Sequence, residues 1–125
     1  MDNIQKDTAF RIKGRLRSFK YAFAGIVTLV TSQHNAWIHT AATVAVIGAG
    51  FFFGVTASEW CWLILAMVAV WSTEALNTAF EFLADVASPD FHPLVKQAKD
   101  VAASAVLIAA IGATAIGAII FIPYM

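Results

Sequence analysis

From Phe10 to about Thr31, apolar residues recur at Ile12, Leu16, Phe19, Phe23, Ile26 and Val30, the spacing of one helical face. Arg11, Lys13, Arg15, Arg17 and Lys20 lie opposite them. The pattern predicts a basic amphipathic helix over 8–31, suited to lying in the interface against anionic lipid. The alternative is a solvated helix packed on a soluble partner. Residues 1–9 are expected to fray, with Asp7 or Thr8 placed to cap the helix start. Thr31-Ser32-Gln33-His34-Asn35 then breaks the pattern. Ala36 to Ala57 contains no formally charged residue, so a first membrane span is expected over 35–56. Gly54 to Glu59 reads as a turn, and a second span follows over 59–87, with Trp60 and Trp62 placed as interfacial anchors. Ser88-Pro89-Asp90-Phe91-His92-Pro93 reads as a loop, with His92 a turn residue. A third span over 94–122 opens with Lys96, Lys99 and Asp100 and is uncharged thereafter. Ala41, Ala45 and Ala49, and again Ala109, Ala113 and Gly117, form small-residue stripes that let helices approach closely.

Composition turns this pattern into a membrane assignment. The 125 residues form one domain that is 60% hydrophobic and 13% charged, with a mean hydropathy of +0.75. That is far too apolar for a soluble domain of this size. Formal net charge is zero, and nothing points to nucleic acid. A single cysteine, Cys61, excludes an intramolecular disulfide and a cysteine-rich metal site. Lys6 and the bases of the first helix precede the first span, Lys96 and Lys99 follow the second, and the turn between those spans has none. The positive-inside bias therefore predicts a cytoplasmic N-terminus and second loop.

The second span carries the chemistry. At about 100° per residue, Asn77 sits roughly 60° from Glu74, and Glu81 and Asp85 about 20° from it. Three carboxylates and an amide thus share one narrow face, while Leu76, Phe80 and Leu83 point elsewhere. If Trp60 marks one interface, Glu74 lies about 21 Å along the helix and Glu81 about 32 Å, against a hydrocarbon core of about 30 Å. A carboxylate inside the bilayer costs roughly 2.5–3.5 kcal/mol or more, which favours a function for it. Interhelical hydrogen bonding by Glu74 and Asn77 is the structural alternative. Glu74, deeper in the membrane, suits a proton acceptor from an alcohol. Glu81 and Asp85, nearer water, suit a hard cation such as Mg²⁺. Lys99-Asp100 offers a cation for phosphate and a carboxylate for ribose, metal or helix capping; the plain alternative is a snorkelling lysine and a capping acid. His34 and His39, five apart, do not share a helix face well enough for a metal pair. No Gly-rich loop ending in Gly-Lys-Ser/Thr occurs, so any ATP must be held by helix side chains and metal.

Glu74-Ala75-Leu76-Asn77-Thr78-Ala79-Phe80-Glu81, then Asp85 and Ala98-Lys99-Asp100, resemble the prokaryotic diacylglycerol kinase family, which includes the undecaprenol kinases. The likeness runs from about Arg15 to Ile122, and the loop 88–94 is closer to the undecaprenol kinase branch. The resemblance implies an all-α homotrimeric bundle, each protomer having an amphipathic surface helix and three transmembrane helices. It implies active sites shared between neighbours at the membrane–cytoplasm boundary, with ATP, Mg²⁺ and a membrane lipid as partners. Carried over, Glu74 matches the general base, Asn77 its polar partner, and Glu81 a Mg²⁺ ligand. Asp85, Lys99 and Asp100 match positions around the nucleotide, and Arg17 is a further nucleotide-binding candidate. One departure stands out. Gln33 and Trp37 occupy the places where the family often has a second metal-ligating Glu and, four residues on, an Arg. Gln33 still offers one oxygen to the metal.

The expected function is a lipid kinase moving the ATP γ-phosphoryl to a membrane alcohol, diacylglycerol or undecaprenol, with Lys99 offsetting transition-state charge. Two alternatives stay open: an inactive family member acting as a lipid-binding scaffold, suggested by Gln33, and a small proton-relay or transport protein using the carboxylate stripe.

Overall fold

The computed structural model describes the backbone of residues 2–32 and 34–125, with side chains from Arg11 onward except His34. Gln33 lies outside the described residues. Four helices follow one another: α1 (Asp2–Ser32), α2 (His34–Phe53), α3 (Ala57–Ala87) and α4 (Pro93–Phe121), closed by a 3₁₀ turn at Ile122–Tyr124. The chain divides after Ser32 into two compact units.

α1 begins at Asp2 and includes the stretch expected to fray, since neither Gly nor Pro occurs before Gly14. Ser18, Thr28, Thr31 and Ser32 fold their hydroxyls back onto the carbonyls of Gly14, Ala24, Val27 and Thr28. That local bonding lets polar side chains sit on the helix without external partners. Ile12, Leu16, Phe19 and Phe23 are all exposed, leaving an open apolar stripe of the kind an interfacial helix presents to lipid.

In the second unit, α2, α3 and α4 are each long and apolar enough to cross a membrane. α3 packs extensively on α4 and much less on α2. Large apolar side chains point outward along all three: Phe52 and Val86 are each 83% exposed and Ile119 is 74% exposed. A surface this apolar needs hydrocarbon as its solvent. The buried core is small, built on Val55, Leu63 and Ile120 with Phe53, Trp60, Met67 and Phe121 around it.

The turns are sharper than the sequence pattern suggests. α2 stops at Phe53 because Gly54 takes φ +63°, and the N–H of Val55 closes back on the Gly50 carbonyl at 3.1 Å. This is the six-to-one bond of a glycine-terminated helix. α3 then starts at Ala57, earlier than expected. Thr56 accepts from the Glu59 N–H at 3.2 Å, and Glu59 accepts from the Thr56 N–H at 2.9 Å. That reciprocal cap is worth on the order of 1 kcal/mol. Glu59 also accepts a hydrogen bond from the Tyr124 hydroxyl at 2.5 Å, tying the chain end to the start of α3. The Trp60 ring lies across Gly50 and 5.1 Å from Phe51. Trp62 is exposed. At the other end, Pro93 occupies the first turn of α4, and the His92 Nδ1 accepts from the Leu94 N–H at 3.2 Å as its cap.

Candidate active site

The polar face of α3 points into the bundle over its middle turns and emerges at its end. Glu74 is 2% exposed and Thr78 is 4% exposed; Asn77 and Glu81 are half-buried, and Asp85 is exposed. Leu76 and Leu83, on the other side, are exposed to the surroundings. The helical period therefore translates directly into depth: the deepest carboxylate is Glu74 and the most solvated is Asp85.

Glu74 and Asn77 form one wall of a cavity of about 270 Å³ between α2, α3 and α4. Asn35, Ile38 and His39 contribute from α2, and Ala103, Val106, Leu107 and Ala110 from α4. The small side chains Ala103 and Ala110 leave the room that the carboxylate faces. Glu74 Oε2 stands 3.3 Å from His39 Nε2, within ion-pair distance, although the two atoms do not meet hydrogen-bond geometry. Asn77 Nδ2 donates to Glu81 Oε1 at 3.5 Å, one turn on. Its amide oxygen, like Glu74 Oε2 and the Thr78 hydroxyl, is buried with no hydrogen-bond partner. Buried polar atoms left this way are expensive and mark a place where a further partner belongs.

At the α3–α4 end, Lys99 Nζ donates to Asp85 Oδ1 at 2.5 Å, and Lys96 Nζ donates to Asp100 Oδ2 at 2.7 Å. The structure thus joins Asp85 with Lys99 and Asn77 with Glu81, while Asp100 pairs with Lys96. Arg17 is exposed on α1, in the other unit. The site residue missed in the sequence was His39. Its signal was present, because it is an ionisable side chain within a helix that has no formal charge.

Hard oxygen donors are what a Mg²⁺ ion requires, and the unpartnered amide oxygen of Asn77 beside the Glu81 carboxylate fits that chemistry. Among the described residues, no three His, Cys, Asp or Glu side chains are grouped to hold a metal. Mg²⁺ commonly uses one or two carboxylates and completes its shell with water and phosphate, a donor set with which Glu81 and Asn77 are compatible.

The sequence comparisons bear on the family rather than on individual site residues. The family model for prokaryotic diacylglycerol kinase matches residues 20–121. The chain belongs to the prokaryotic diacylglycerol kinase family. Within this kinase family it is 36% identical over 118 residues to the undecaprenol kinase of Bacillus subtilis, covering 94% of this chain and 96% of that one. It is 41% identical over 109 residues to the diacylglycerol kinase of Synechocystis sp., which is 86% of this chain and 62% of that relative. The diacylglycerol kinase of Helicobacter pylori is 32% identical over 106 residues, or 79% of this chain and 83% of the relative. The resemblance read from Glu74–Glu81 and Ala98-Lys99-Asp100 lies wholly inside the matched kinase-family region.

Proposed function

We propose that this protein is a membrane lipid kinase that transfers the γ-phosphoryl group of ATP to the hydroxyl of a membrane alcohol. Family membership and kinase relatives on both the undecaprenol and diacylglycerol sides support the lipid kinase reading. The observation that carries the site is Glu74, a carboxylate buried within the spanning bundle yet forming the wall of an interhelical cavity. A base in that position meets a hydroxyl arriving from the bilayer, while a nucleotide reaches the other end of the same helix face from water.

In this mechanism Glu74 accepts the proton as the acceptor oxygen forms its bond to the γ-phosphorus and the bond from that phosphorus to the β–γ bridging oxygen breaks, leaving ADP. Lys99 offsets the charge spreading over the transferred group. Asp85 orients Lys99, and Asp100 assists in holding the nucleotide. Glu81 and Asn77, with Gln33, would hold Mg²⁺, which neutralises phosphate charge when bound. The small core and the outward apolar faces of one protomer suit assembly into a homotrimer with sites shared between neighbours. The bases before α2 and at the start of α4 favour a cytoplasmic N-terminus in the bacterial inner membrane.

The test is direct. Purified protein in lipid bicelles is given Mg·ATP with diacylglycerol and undecaprenol side by side, and phosphorylated lipid is measured. Product from one or both acceptors is expected, with Glu74→Gln losing turnover while still binding Mg·ATP. Full turnover in Glu74→Gln removes Glu74 as the base, and no product from either acceptor removes the kinase reading.

A further inference from the structure

We propose that His39 is the positioning residue for the Glu74 carboxylate, a role that rests on the reading of Glu74 as the proton acceptor. Among the described residues, His39 is the only side chain capable of positive charge within ion-pair distance of Glu74, at 3.3 Å from Nε2 to Oε2. Both are largely enclosed, with side-chain exposures of 16% and 3%. The imidazole meets one further ring, and the backbone of His39 is tied to the same neighbour. Its ring meets Trp71 edge-on, with centroids 6.0 Å apart and planes at 66°. Trp71 Nε1 donates to Thr43 Oγ1 at 2.9 Å, and Thr43 Oγ1 donates to the backbone carbonyl of His39 at 2.7 Å.

The spacing explains why these groups meet. Trp71 lies one turn before Glu74 on α3, and Thr43 lies one turn after His39 on α2, so the two helices exchange partners across a single level. The Trp71–Thr43 bond therefore ties α2 to α3 at the level of His39. An imidazole Nε2 within ion-pair distance of one carboxylate oxygen biases the Glu74 carboxyl towards one orientation, by proximity and charge rather than by an aligned hydrogen bond. A base displaced by about 1 Å loses on the order of a hundredfold in rate, so this restraint is large enough to be measured.

The experiment uses the full chain in lipid bicelles. His39→Leu removes the imidazole and is expected to lower kcat by about a hundredfold, with KM for Mg·ATP within about threefold of the parent. His39→Gln restores an amide donor near the same reach and is expected to recover kcat to within about tenfold of the parent. In a Glu74→Gln background, His39→Leu is expected to cost less than about threefold more, because the two act as one unit. An unchanged kcat in His39→Leu, equal losses in the Leu and Gln variants, or full additivity with Glu74→Gln overturns the proposal. If His39→Leu does not assemble, Trp71→Phe keeps the ring and removes only the donor to Thr43; a severalfold fall in kcat is then expected, and an unchanged kcat overturns the proposal. Full turnover in Glu74→Gln alone would instead remove the underlying base assignment.

Discussion

Lys99 Nζ on α4 reaches across to Asp85 Oδ1 on α3 at 2.5 Å, joining the last turns of α3 to the opening turns of α4. Both side chains remain substantially exposed, at 38% for Lys99 and 65% for Asp85. An exposed pair of this kind contributes only about 0.2–1 kcal/mol to stability. Folding stability therefore depends little on this pair, and the proposed contact of Lys99 with phosphate can be tested separately from the fold.

Lys99→Met is accordingly expected to leave helicity and thermal stability close to the parent while lowering kcat by about a hundredfold, the scale for losing one group that offsets transition-state charge. Asp85→Asn, which keeps the lysine but frees it, should cost less. Circular dichroism alongside turnover checks both. A Lys99→Met enzyme that unfolds as fast as it loses turnover would return the pair to a structural role.

Glu81→Gln keeps the size and one oxygen of the side chain but removes its charge. The expected outcome is a rise of about tenfold or more in the Mg²⁺ concentration giving half-maximal rate, with lipid KM little changed. Chelation should abolish turnover of the parent enzyme, and added Mg²⁺ should restore it. An unaltered Mg²⁺ dependence in Glu81→Gln would take Glu81 out of the metal shell.

Gly50 allows Trp60 to lie flat against α2. A Cβ there would stand 2.4 Å from Trp60 Cη2 and 2.6 Å from Cζ2, so something must move. Overpacking of this sort costs about 1–3 kcal/mol, against about 1 kcal/mol that alanine offers in helix propensity, so the clash wins. Gly50→Ala should destabilise by about 1 kcal/mol. Gly48→Ala, where no atom lies within 4 Å of the new Cβ, should be neutral or stabilising. Equilibrium unfolding in mixed micelles separates the two, and equal stability for both would refute the close approach.

At Gly54 the constraint is conformational rather than steric, since φ is +63° and no atom lies within 4 Å of a built Cβ. Gly54→Ala should lose about 1–2 kcal/mol, and Gly54→Asn, which tolerates the left-handed region better, should lose less. Matching stabilities for the two variants would argue that the turn relaxes.

Apolar periodicity alone was enough to place four helices, three of them long enough to span a bilayer, because a helix in hydrocarbon must satisfy its own backbone and turn its side chains outward. The boundaries were less legible. The Thr56-x-x-Glu59 capping pair was present in the sequence, but Gly54 to Glu59 resembled a longer turn until the left-handed Gly54 showed where α2 stops.

The acidic face of α3 was equally readable, since a period of 3.6 puts Glu74, Asn77, Glu81 and Asp85 on one side whatever surrounds them. Which neighbours meet that face was not. His39 beside Glu74, Trp71 bound to Thr43, and Lys99 on Asp85 rather than on Glu81 are contacts between residues 14 to 35 positions apart. Periodicity describes the geometry of a single helix; the rotation and height of one helix against another follow from packing, and only the folded bundle specifies them.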